Sequence, residues 1–453
     1  METKTKLAQR LGLSEKDTDG YALVVGWGAS GESAAKLLRA AGMKVAVYDD
    51  GAQIPDWAEN RSGMAYSAVT DDVSLAVFNP AVPLSHPLAA ALAARGAKII
   101  TELQLGDAVC DAAKITVSGT NGKTTTVSLI EHILKEDGVR AVALGNIGKP
   151  FSSEAAEIPE YGVAVLEVSS FMLEYGTVDA DIAVLLNVTP DHLERHGSFA
   201  EYARIKAKLF DAQSPSEYAV FNADDAITRA ISGKVKARPY FFSAENKCRG
   251  AFLRGTELMF SDDGTLEERV CGLDSVKLVG AHNVANCLAA VAVCKLYGVG
   301  NEAIKRGLES FNAPKYRLEY LGTYGGTAVF NDSKATNIDG TLQACAAMKG
   351  STALIVGGYD KKLSYCGFFS RLPSGVKYII CCGDNSERII ECAPDNFSAE
   401  IFRTATLERA VMLGLSLHAD NLLFSPSTSS YDRYRNFEER GRHFEQAVKT
   451  FCA

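Results

Sequence analysis

Short apolar runs recur along this 453-residue chain, separated by polar or glycine-rich turns. The runs that favour strands are ALVVG, KVAVYD, SLAVFN, KIIT, KITVSG, VAVLEV, DIAVLLNV, YAVFNAD, TAVFND, TALIVGG, KYIICCGD and NLLFSP. Many are apolar on both faces, which is typical of strands covered by helices on both sides. Helical stretches such as SAAKLLRAAG and NVANCLAAVAVCKLYG lie between them. The alternation predicts α/β domains with largely parallel sheets.

The length is too great for a single hydrophobic core, so we expect three consecutive α/β domains. The first boundary lies near Thr101, before the strand that feeds a second glycine-rich turn. The other lies at Asn312 to Pro314, which interrupt a helical pattern. The expected domains are residues 1–101, 102–313 and 314–453.

Composition narrows the class of protein. A net charge of −8 and a pI of about 5.6 argue against nucleic acid as the main partner. The eleven cysteines include no C-x-x-C pair, which favours buried reduced thiols over zinc or disulfides. The charged start METKTKLAQRLGLSEKD lacks the apolar core of a signal peptide, and no run is long enough to span a bilayer. We therefore expect a cytoplasmic protein.

The stretch VVGWGASGES places Gly26, Gly28 and Gly31 in a G-x-G-x-x-G spacing directly after an apolar run. Taken alone, this spacing predicts a site for the diphosphate of a dinucleotide. One function class is therefore an NAD-dependent oxidoreductase.

A second glycine loop, of a different kind, stands in KITVSGTNGKTTTVSLI. A strand runs into Gly119, Gly122, Lys123 and Thr124, and a helix follows. Backbone N–H groups, the helix start and the lysine all favour phosphate, and the threonine hydroxyl is a common Mg²⁺ ligand. Val117 stands where the usual G-x-x-x-x-G-K-[ST] pattern has its first glycine. Phosphate binding is favoured over a plain turn with an exposed lysine.

Two polar residues follow apolar strands in the same region. Glu167 ends the buried run in GVAVLEVSSF, where an unpaired carboxylate would cost on the order of several kcal/mol. Mg²⁺ beside a triphosphate would remove that cost, whereas a surface glutamate on an edge strand is the alternative. His192 follows the next strand in LLNVTPDHLERHGS, at the end of a sheet where ligands bind. A metal or substrate role is favoured there over a structural one.

Lys206 lies on the apolar stripe of the predicted helix SFAEYARIKAKLFDA, whereas Lys208 points the other way. The other members of the stripe are Phe199, Tyr202, Leu209 and Phe210. A lysine on such a face ordinarily extends its amine outward to water. A desolvated lysine would instead have a lowered pKa, and its neutral amine could capture carbon dioxide as a carbamate that ligates metal. The sequence alone leaves both interpretations open.

Taken together and in order, the motifs GTNGKTTT, LEVSSF, LNVTPDHLERHGS with YARIK, GAHNVANCLAA, NDSKATN and GGYDKK resemble the Mur ligases of peptidoglycan synthesis. The ending SPSTSSYDRYRNFEERGRHF is similar to the branch that adds D-glutamate. The resemblance covers the chain beyond a short amino-terminal extension. It implies a Rossmann-like first domain for the UDP part of a substrate, a P-loop ATPase-like central domain, and a Rossmann-like third domain for the amino acid. The first loop would then hold a uridine diphosphate, not nicotinamide.

The chemistry that the resemblance implies is ATP-dependent amide formation between UDP-N-acetylmuramoyl-L-alanine and D-glutamate through an acyl phosphate. The implied catalytic residues are Lys123, Glu167, His192 and Lys206. Thr124 and Glu167 would hold one Mg²⁺, and carbamylated Lys206 with His192 a second. The expected partners are these small molecules and neither nucleic acid nor membrane, and the expected state is a monomer.

The resemblance also assigns three sets of binding residues. The set for the UDP substrate is Gly28, Ser30, Gly31, Asp49, Asp50, Asn146 and His192. The set for ATP is Gly119, Thr120, Asn121, Gly122, Lys123, Thr124, Thr125, Asn283, Asn286, Arg317 and Asp332. The set for D-glutamate is Lys334, Thr336, Lys361, Ser430, Tyr431 and Phe437. Spacing does not decide between Lys361 and Lys362.

The first domain departs from the family pattern in FNPAVPLSHP. The family often has serine before the proline and glycine after it, where this chain has Asn79 and Ala81. The bulky Trp27 either stacks on the uracil or borders it. Rival functions are a ligase adding another amino acid to the same nucleotides, a folate–glutamate ligase, and a regulatory ATPase that needs no amino acid.

Overall fold

The computed structural model describes residues 2–278, 280–362 and 364–452, and within them the strands form three sheets. The first sheet is entirely parallel and has the order β3-β2-β1-β4-β5. Its strands are β1 (Tyr21–Val25), β2 (Lys44–Tyr48), β3 (Glu59–Asn60), β4 (Val73–Phe78) and β5 (Lys98–Thr101). This is the classic Rossmann strand order without its sixth strand, and the direction of winding reverses between β1 and β4.

The second sheet has the order β14-β13-β12-β11-β10-β9-β6-β8-β7. It is parallel from β12 to β7, and β13 and β14 add an antiparallel end. Its strands are β6 (Ala113–Ser118), β7 (Ala141–Gly145), β8 (Val163–Glu167), β9 (Ile182–Leu185), β10 (Tyr218–Asn222), β11 (Arg238–Ser243), β12 (Gly250–Arg254), β13 (Glu257–Ser261) and β14 (Glu268–Gly272).

The third sheet has the order β15-β16-β20-β17-β18-β19, with only β15 antiparallel to its neighbour among the described strands. Its strands are β15 (Glu319–Tyr324), β16 (Thr327–Asn331), β17 (Thr352–Val356), β18 (Val376–Cys382), β19 (Glu400–Thr404) and β20 (Asn421–Phe424).

Helices join and cover the strands. Those before β6 are α1 (Glu2–Leu11), α2 (Glu15–Asp19), α3 (Ala29–Ala40), α4 (Tyr66–Val69), α5 (Pro87–Ala94) and α6 (Glu102–Asp107). Those between β6 and β15 are α7 (Lys123–Glu136), α8 (Ser170–Tyr175), α9 (Leu193–His196), α10 (Phe199–Ala207), α11 (Ala226–Ser232), α12 (Ala281–Tyr297) and α13 (Asn301–Ser310). The remainder are α14 (Ile338–Ala347), α15 (Cys366–Phe369), α16 (Ser386–Glu391), α17 (Leu407–Ser416) and α18 (Phe437–Cys452).

The predicted α/β class is confirmed, and each of the twelve apolar runs overlaps a strand. The chain divides into two compact units: Met1–Val276 with Ala285–Ser310, and Lys277–Val284 with Phe311–Ala453. The first unit contains the first and second sheets, and the second unit contains the third sheet. Among the described residues, no helix combines the length and apolar character needed to cross a membrane.

Candidate functional site

The second glycine loop connects β6 to α7 in the first unit. Gly122 precedes the helix in a left-handed conformation (φ 88°), and a Cβ there would lie 2.3 Å from Asn286 Oδ1. Glycine is therefore required by both backbone and space. The Lys123 ammonium donates to the carbonyl oxygens of Gly119 and Thr120, each at 2.8 Å. The loop thus combines a helix start with a lysine folded over it, which suits phosphate.

Glu167 ends β8, which lies between β6 and β7, and the residue is 1% exposed. The alternative of a surface glutamate on an edge strand is therefore wrong. Its Oε2 accepts a hydrogen bond from Thr124 Oγ1 at 2.7 Å, and its Oε1 accepts one from Asn146 Nδ2 at 2.8 Å. The structure thus brings a carboxylate, a hydroxyl and an amide from three segments together beside the loop.

This donor set fits Mg²⁺, which prefers hard oxygen ligands and takes the rest from phosphate and water. Within the described residues, no three His, Cys, Asp or Glu side chains cluster as an all-protein metal site. A metal held by Glu167 and Thr124 would therefore depend on oxygens of a bound polyphosphate.

Lys206 is 1% exposed, although it carries an ammonium group. Ser198 begins helix α10 by accepting a hydrogen bond from Glu201 N, and the helix then directs Lys206 inward. The Lys206 Nζ donates to Gly119 O at 2.8 Å and to Ser118 Oγ at 3.2 Å. The interpretation in which this amine reaches water is wrong.

Burial lowers the pKa of Lys206 well below its ordinary value, and the neighbouring Lys123 lowers it further. Asp191 and Glu167 act in the opposite direction. A lysine in this position has a neutral amine accessible at much lower pH than in water.

His192 lies on the loop after β9 and caps α9 in a left-handed conformation (φ 52°, ψ 34°). Its ring lies 4.8 Å from the ring of Phe171, and its nitrogens lie 3.6 Å and 3.7 Å from carboxylate oxygens of Asp191 and Glu194. The backbone places the imidazole at the same end of the sheet as the glycine loop.

The first glycine loop connects β1 to α3, which begins after Gly28 and carries Ser30 in its first turn. A Cβ at Gly31 would lie 2.0 Å from the carbonyl oxygen of Gly26, so the turn closes on the helix without room for a side chain. The structure thus shows a tight glycine turn from strand to helix beside the topological switch point of the sheet, where ligands bind in folds of this class.

Asp49 follows β2 beside this loop. It accepts hydrogen bonds from the backbone N–H groups of Trp27 at 2.7 Å, Gly51 at 2.9 Å and Ala52 at 2.8 Å. Burial opposes ionisation of this carboxyl, but the three donors lower its pKa overall. Asp50 is exposed next to it. A carboxylate rather than a cation therefore borders the first loop.

The other candidates for ATP lie in the second unit. Asp332 is buried, and burial raises the pKa of its carboxyl to about 7, against hydrogen bonds from Ser425 Oγ at 2.8 Å and Leu318 N at 3.1 Å. Arg317 favours the ionised form of Asp332. Asn283 is also buried, at the start of α12.

The candidates for D-glutamate lie on loops of the third sheet, apart from Phe437, which begins α18. The Lys334 ammonium stands 3.8 Å from the centre of the Phe437 ring, and Lys361 Nζ donates to Thr336 O at 3.1 Å. Lys362 is exposed. Lys361, rather than Lys362, therefore contacts the loop that carries the other candidates.

The remaining two candidates are adjacent but differ in exposure. Ser430 is buried, whereas Tyr431 is 69% exposed and its ring lies 6.4 Å from that of Tyr359.

Sequence reasoning missed Asp191 and Arg195. The Asp191 side chain is only 8% exposed and acts electrostatically on Lys206. Arg195 forms an ion pair with Glu174 at 2.6 Å. Both residues lie in the segment LNVTPDHLERHGS. Asp191 could have been found from the sequence, because it is an acidic residue directly before the candidate His192. No pattern in the sequence pairs Arg195 with Glu174.

The sequence and the fold of this chain are both similar to those of known proteins. The family described as "Mur ligase middle domain" matches residues 117–294. A UDP-N-acetylmuramoylalanine–D-glutamate ligase of Desulfitobacterium hafniense (strain Y51) is 34% identical over 451 residues, covering 94% of this chain and 97% of that protein. A ligase of the same name from Acidobacterium capsulatum is 36% identical over 445 residues, covering 94% and 95%.

Among solved structures, MurF from Acinetobacter baumannii superposes with a TM-score of 0.62 at 17% identity, covering 99% of this chain and 98% of that one. This likeness supports the shared three-sheet fold. With the full-length sequence relatives, it leads to one conclusion: the chain belongs to the Mur ligase family, among the UDP-N-acetylmuramoylalanine–D-glutamate ligases.

Proposed function

We propose that the chain is an ATP-dependent ligase that joins UDP-N-acetylmuramoyl-L-alanine to D-glutamate in peptidoglycan precursor synthesis. One observation carries the proposal: a buried lysine and a buried carboxylate flank a phosphate-type glycine loop in a chain whose relatives bear this name along 94% of its length. The domains at 1–101, 102–313 and 314–453 would bind the UDP substrate, ATP and the amino acid, respectively.

The second glycine loop is proposed to hold the ATP phosphates through its backbone N–H groups and the Lys123 ammonium. Thr124 and Glu167 would hold Mg²⁺ there, and the ion would neutralise charge on the transferring phosphoryl group. Asn286 lies against Gly122, which places an amide at the loop. Asn283, Arg317 and Asp332 complete the proposed ATP set from the second unit.

Lys206 is proposed to react as a free amine with carbon dioxide. The nitrogen lone pair forms a bond to carbon, one N–H proton is released to solvent, and a carbamate anion results. Its lowered pKa supports this step, because the neutral amine is the reactive form. An anion here would also replace the repulsion between Lys206 and Lys123 by attraction. With His192, the carbamate would hold a second Mg²⁺.

In the proposed reaction, a carboxylate oxygen of the muramoyl substrate attacks the γ-phosphorus of ATP and the bond to ADP breaks. The D-glutamate amine then attacks the acyl phosphate carbon, phosphate leaves, and the amine loses a proton. Lys334 and Lys361 offer two cations for a dicarboxylic amino acid, with Thr336, Ser430, Tyr431 and Phe437 around them. The protein contributes mainly positioning and charge neutralisation.

The test is phosphate release measured with each substrate omitted in turn, and with L-glutamate in place of D-glutamate. Release should require ATP, the UDP-linked acid and D-glutamate together. If the carboxylate of the muramoyl substrate is labelled with ¹⁸O, one labelled oxygen should appear in the released phosphate. Equally fast release without an amino acid would instead support the regulatory ATPase and overturn the ligase.

The oxidoreductase remains a second class to exclude, because the first loop has the spacing of a dinucleotide site. Titration with NADH followed by its fluorescence should show no saturable binding, whereas UDP should protect the protein against thermal unfolding. A folate–glutamate ligase would use a folate substrate, which needs no diphosphate site.

A further inference from the structure

A polar clamp joins the first and second sheets inside the first unit. Arg195 lies three residues after His192 and donates hydrogen bonds to three consecutive backbone carbonyls that follow β4. The distances are 2.9 Å from Nη1 to Ala81 O, and 3.2 Å and 3.3 Å from Nη2 to Pro80 O and Val82 O. Tyr175 Oη adds a hydrogen bond of 2.5 Å to Val82 O. Two side chains of the central region thus hold one loop of the first sheet.

The Arg195 guanidinium is itself held in place. Glu174 accepts from Nε at 2.8 Å and from Nη2 at 2.6 Å, a two-point pairing, and the guanidinium lies 4.8 Å from the centre of the Phe171 ring. The two charged side chains are only 14% and 11% exposed. Charge-assisted, bidentate pairing away from water fixes an arginine far better than a surface ion pair does.

The loop held by this clamp carries Asn79, which directly follows β4. Its backbone N–H donates to Val25 O at 2.8 Å, and its side-chain Oδ1 accepts from Ala81 N at 3.0 Å. The amide nitrogen faces the first glycine loop, because a Cβ built on Gly28 would lie 2.9 Å from Asn79 Nδ2. The loop and the glycine turn follow β4 and β1, the strands that flank the switch point of the sheet.

We propose that Arg195 is a positioning residue that holds the loop of residues 79–82, so that Asn79 Nδ2 donates a hydrogen bond to the diphosphate of the nucleotide substrate. This inference rests on the proposed function of the first sheet. The clamp also links the diphosphate site to the His192 segment, because Phe171 lies against both Arg195 and His192.

The experiment measures KM separately for the UDP-linked acid, ATP and D-glutamate in purified full-length variants. Arg195→Ala should raise KM for the UDP-linked acid about tenfold or more, since several hydrogen bonds to a charged group are lost. Arg195→Lys should restore little of this, because an ammonium cannot bridge the carboxylate and three carbonyls at once. KM for ATP and for D-glutamate should change less than twofold.

A milder variant guards against a folding defect. Tyr175→Phe removes only the hydroxyl that contacts Val82, and should raise the same KM about threefold. The matched control is Arg204→Ala, because Arg204 is a 60% exposed arginine on the next helix that pairs with Glu201. It should leave all three KM values unchanged. An unchanged KM for the UDP-linked acid in Tyr175→Phe and in the Arg195 variants would overturn the proposal.

A double-mutant cycle tests whether Arg195 acts through Asn79. Asn79→Ala should raise KM for the UDP-linked acid, and adding Arg195→Ala should raise it little further, because the two changes remove one interaction. Fully multiplicative effects would refute action through Asn79. If the wild-type chain did not use the UDP-linked acid, the proposed function would fail. If it used that substrate and the variants behaved like wild type, this inference alone would fail.

Discussion

Two glycine loops in the first unit join a strand to a helix, yet their surroundings differ in charge. The loop after β6 carries Lys123 and lies against the buried Lys206. The loop after β1 contains no lysine or arginine and donates one of its N–H groups to the Asp49 carboxylate. Backbone geometry alone would assign both to phosphate.

The difference shows what a phosphate loop needs for chemistry. A diphosphate that is only held can be bound by backbone N–H groups and a helix start. A phosphoryl group that is transferred develops charge that fixed cations must stabilise. The loop after β6, called the cationic loop below, is therefore the proposed reaction site. The loop after β1, called the neutral loop, is proposed to bind the diphosphate of the substrate without reacting with it.

The largest expected effect is at the cationic loop. Lys123→Ala should lower kcat/KM for ATP on the order of a thousandfold, because charge stabilisation at the transferring phosphate is lost. Binding of the UDP-linked acid, measured by calorimetry, should be unchanged. Lys135→Ala is the control, since this exposed lysine on the same helix pairs with Glu131. Equal weakening of both ligands by Lys123→Ala would abolish the distinction between the loops.

At the neutral loop, we expect Gly31→Ala to damage the fold itself. The new Cβ would lie 2.0 Å from the Gly26 carbonyl oxygen, so the turn must move. The free energy of unfolding, measured with urea, should fall by about 3 kcal/mol. Gly51→Ala nearby meets no atom within 4 Å and should be nearly neutral. A Gly31→Ala variant as stable as the control would show that the turn is not tightly closed.

The buried lysine should be visible in the pH dependence of stability. In carbon dioxide-free buffer, the unfolded chain binds a proton at Lys206 at pH values where the folded chain does not, because the folded pKa is lowered. Stability should therefore rise with pH up to about 10.5, by at most about 1.4 kcal/mol per pH unit. Lys206→Met should remove this slope, and Lys208→Met should keep it. A slope that survives Lys206→Met must come from another group.

The smallest effect concerns salt. Raising ionic strength should increase KM for ATP a few fold through screening of the exposed part of the cationic loop. KM for the UDP-linked acid should change less, since no cation belongs to the first loop. KM values measured in sodium chloride and in an uncharged osmolyte at equal osmolality separate screening from crowding. A larger salt effect on the UDP-linked acid would reverse the assignment of the two loops.

The sequence predicted these loops because their glycines, lysine and flanking strands are close along the chain. Glu167 was predictable for the same reason, since a carboxylate that ends a wholly apolar run is conspicuous. For Lys206, the helical period predicted that the residue lies on the apolar face of its helix. Only the packed structure shows whether the amine is buried or reaches solvent.

Other features depend on contacts between distant segments. Arg195 and Glu174 pair because α8 and α9 meet, and neither lies in a pattern that requires the other. Strands β13 and β14 are among those that were not predicted, because ELMFS and ERVCG mix polar and apolar residues and do not stand out as apolar runs, although β13 is largely buried. The residue numbers of the three substrate sets stay predictions until binding is measured.

The left-handed backbone of His192 has a consequence for protein engineering. A side chain in that conformation costs on the order of 1 kcal/mol, which glycine would avoid. Selection of a variant library for thermal stability alone should therefore enrich the His192→Gly variant. Selection of the same library for catalytic turnover should remove this variant. If His192 has the proposed role in binding metal and substrate, stability and activity favour different residues at this position.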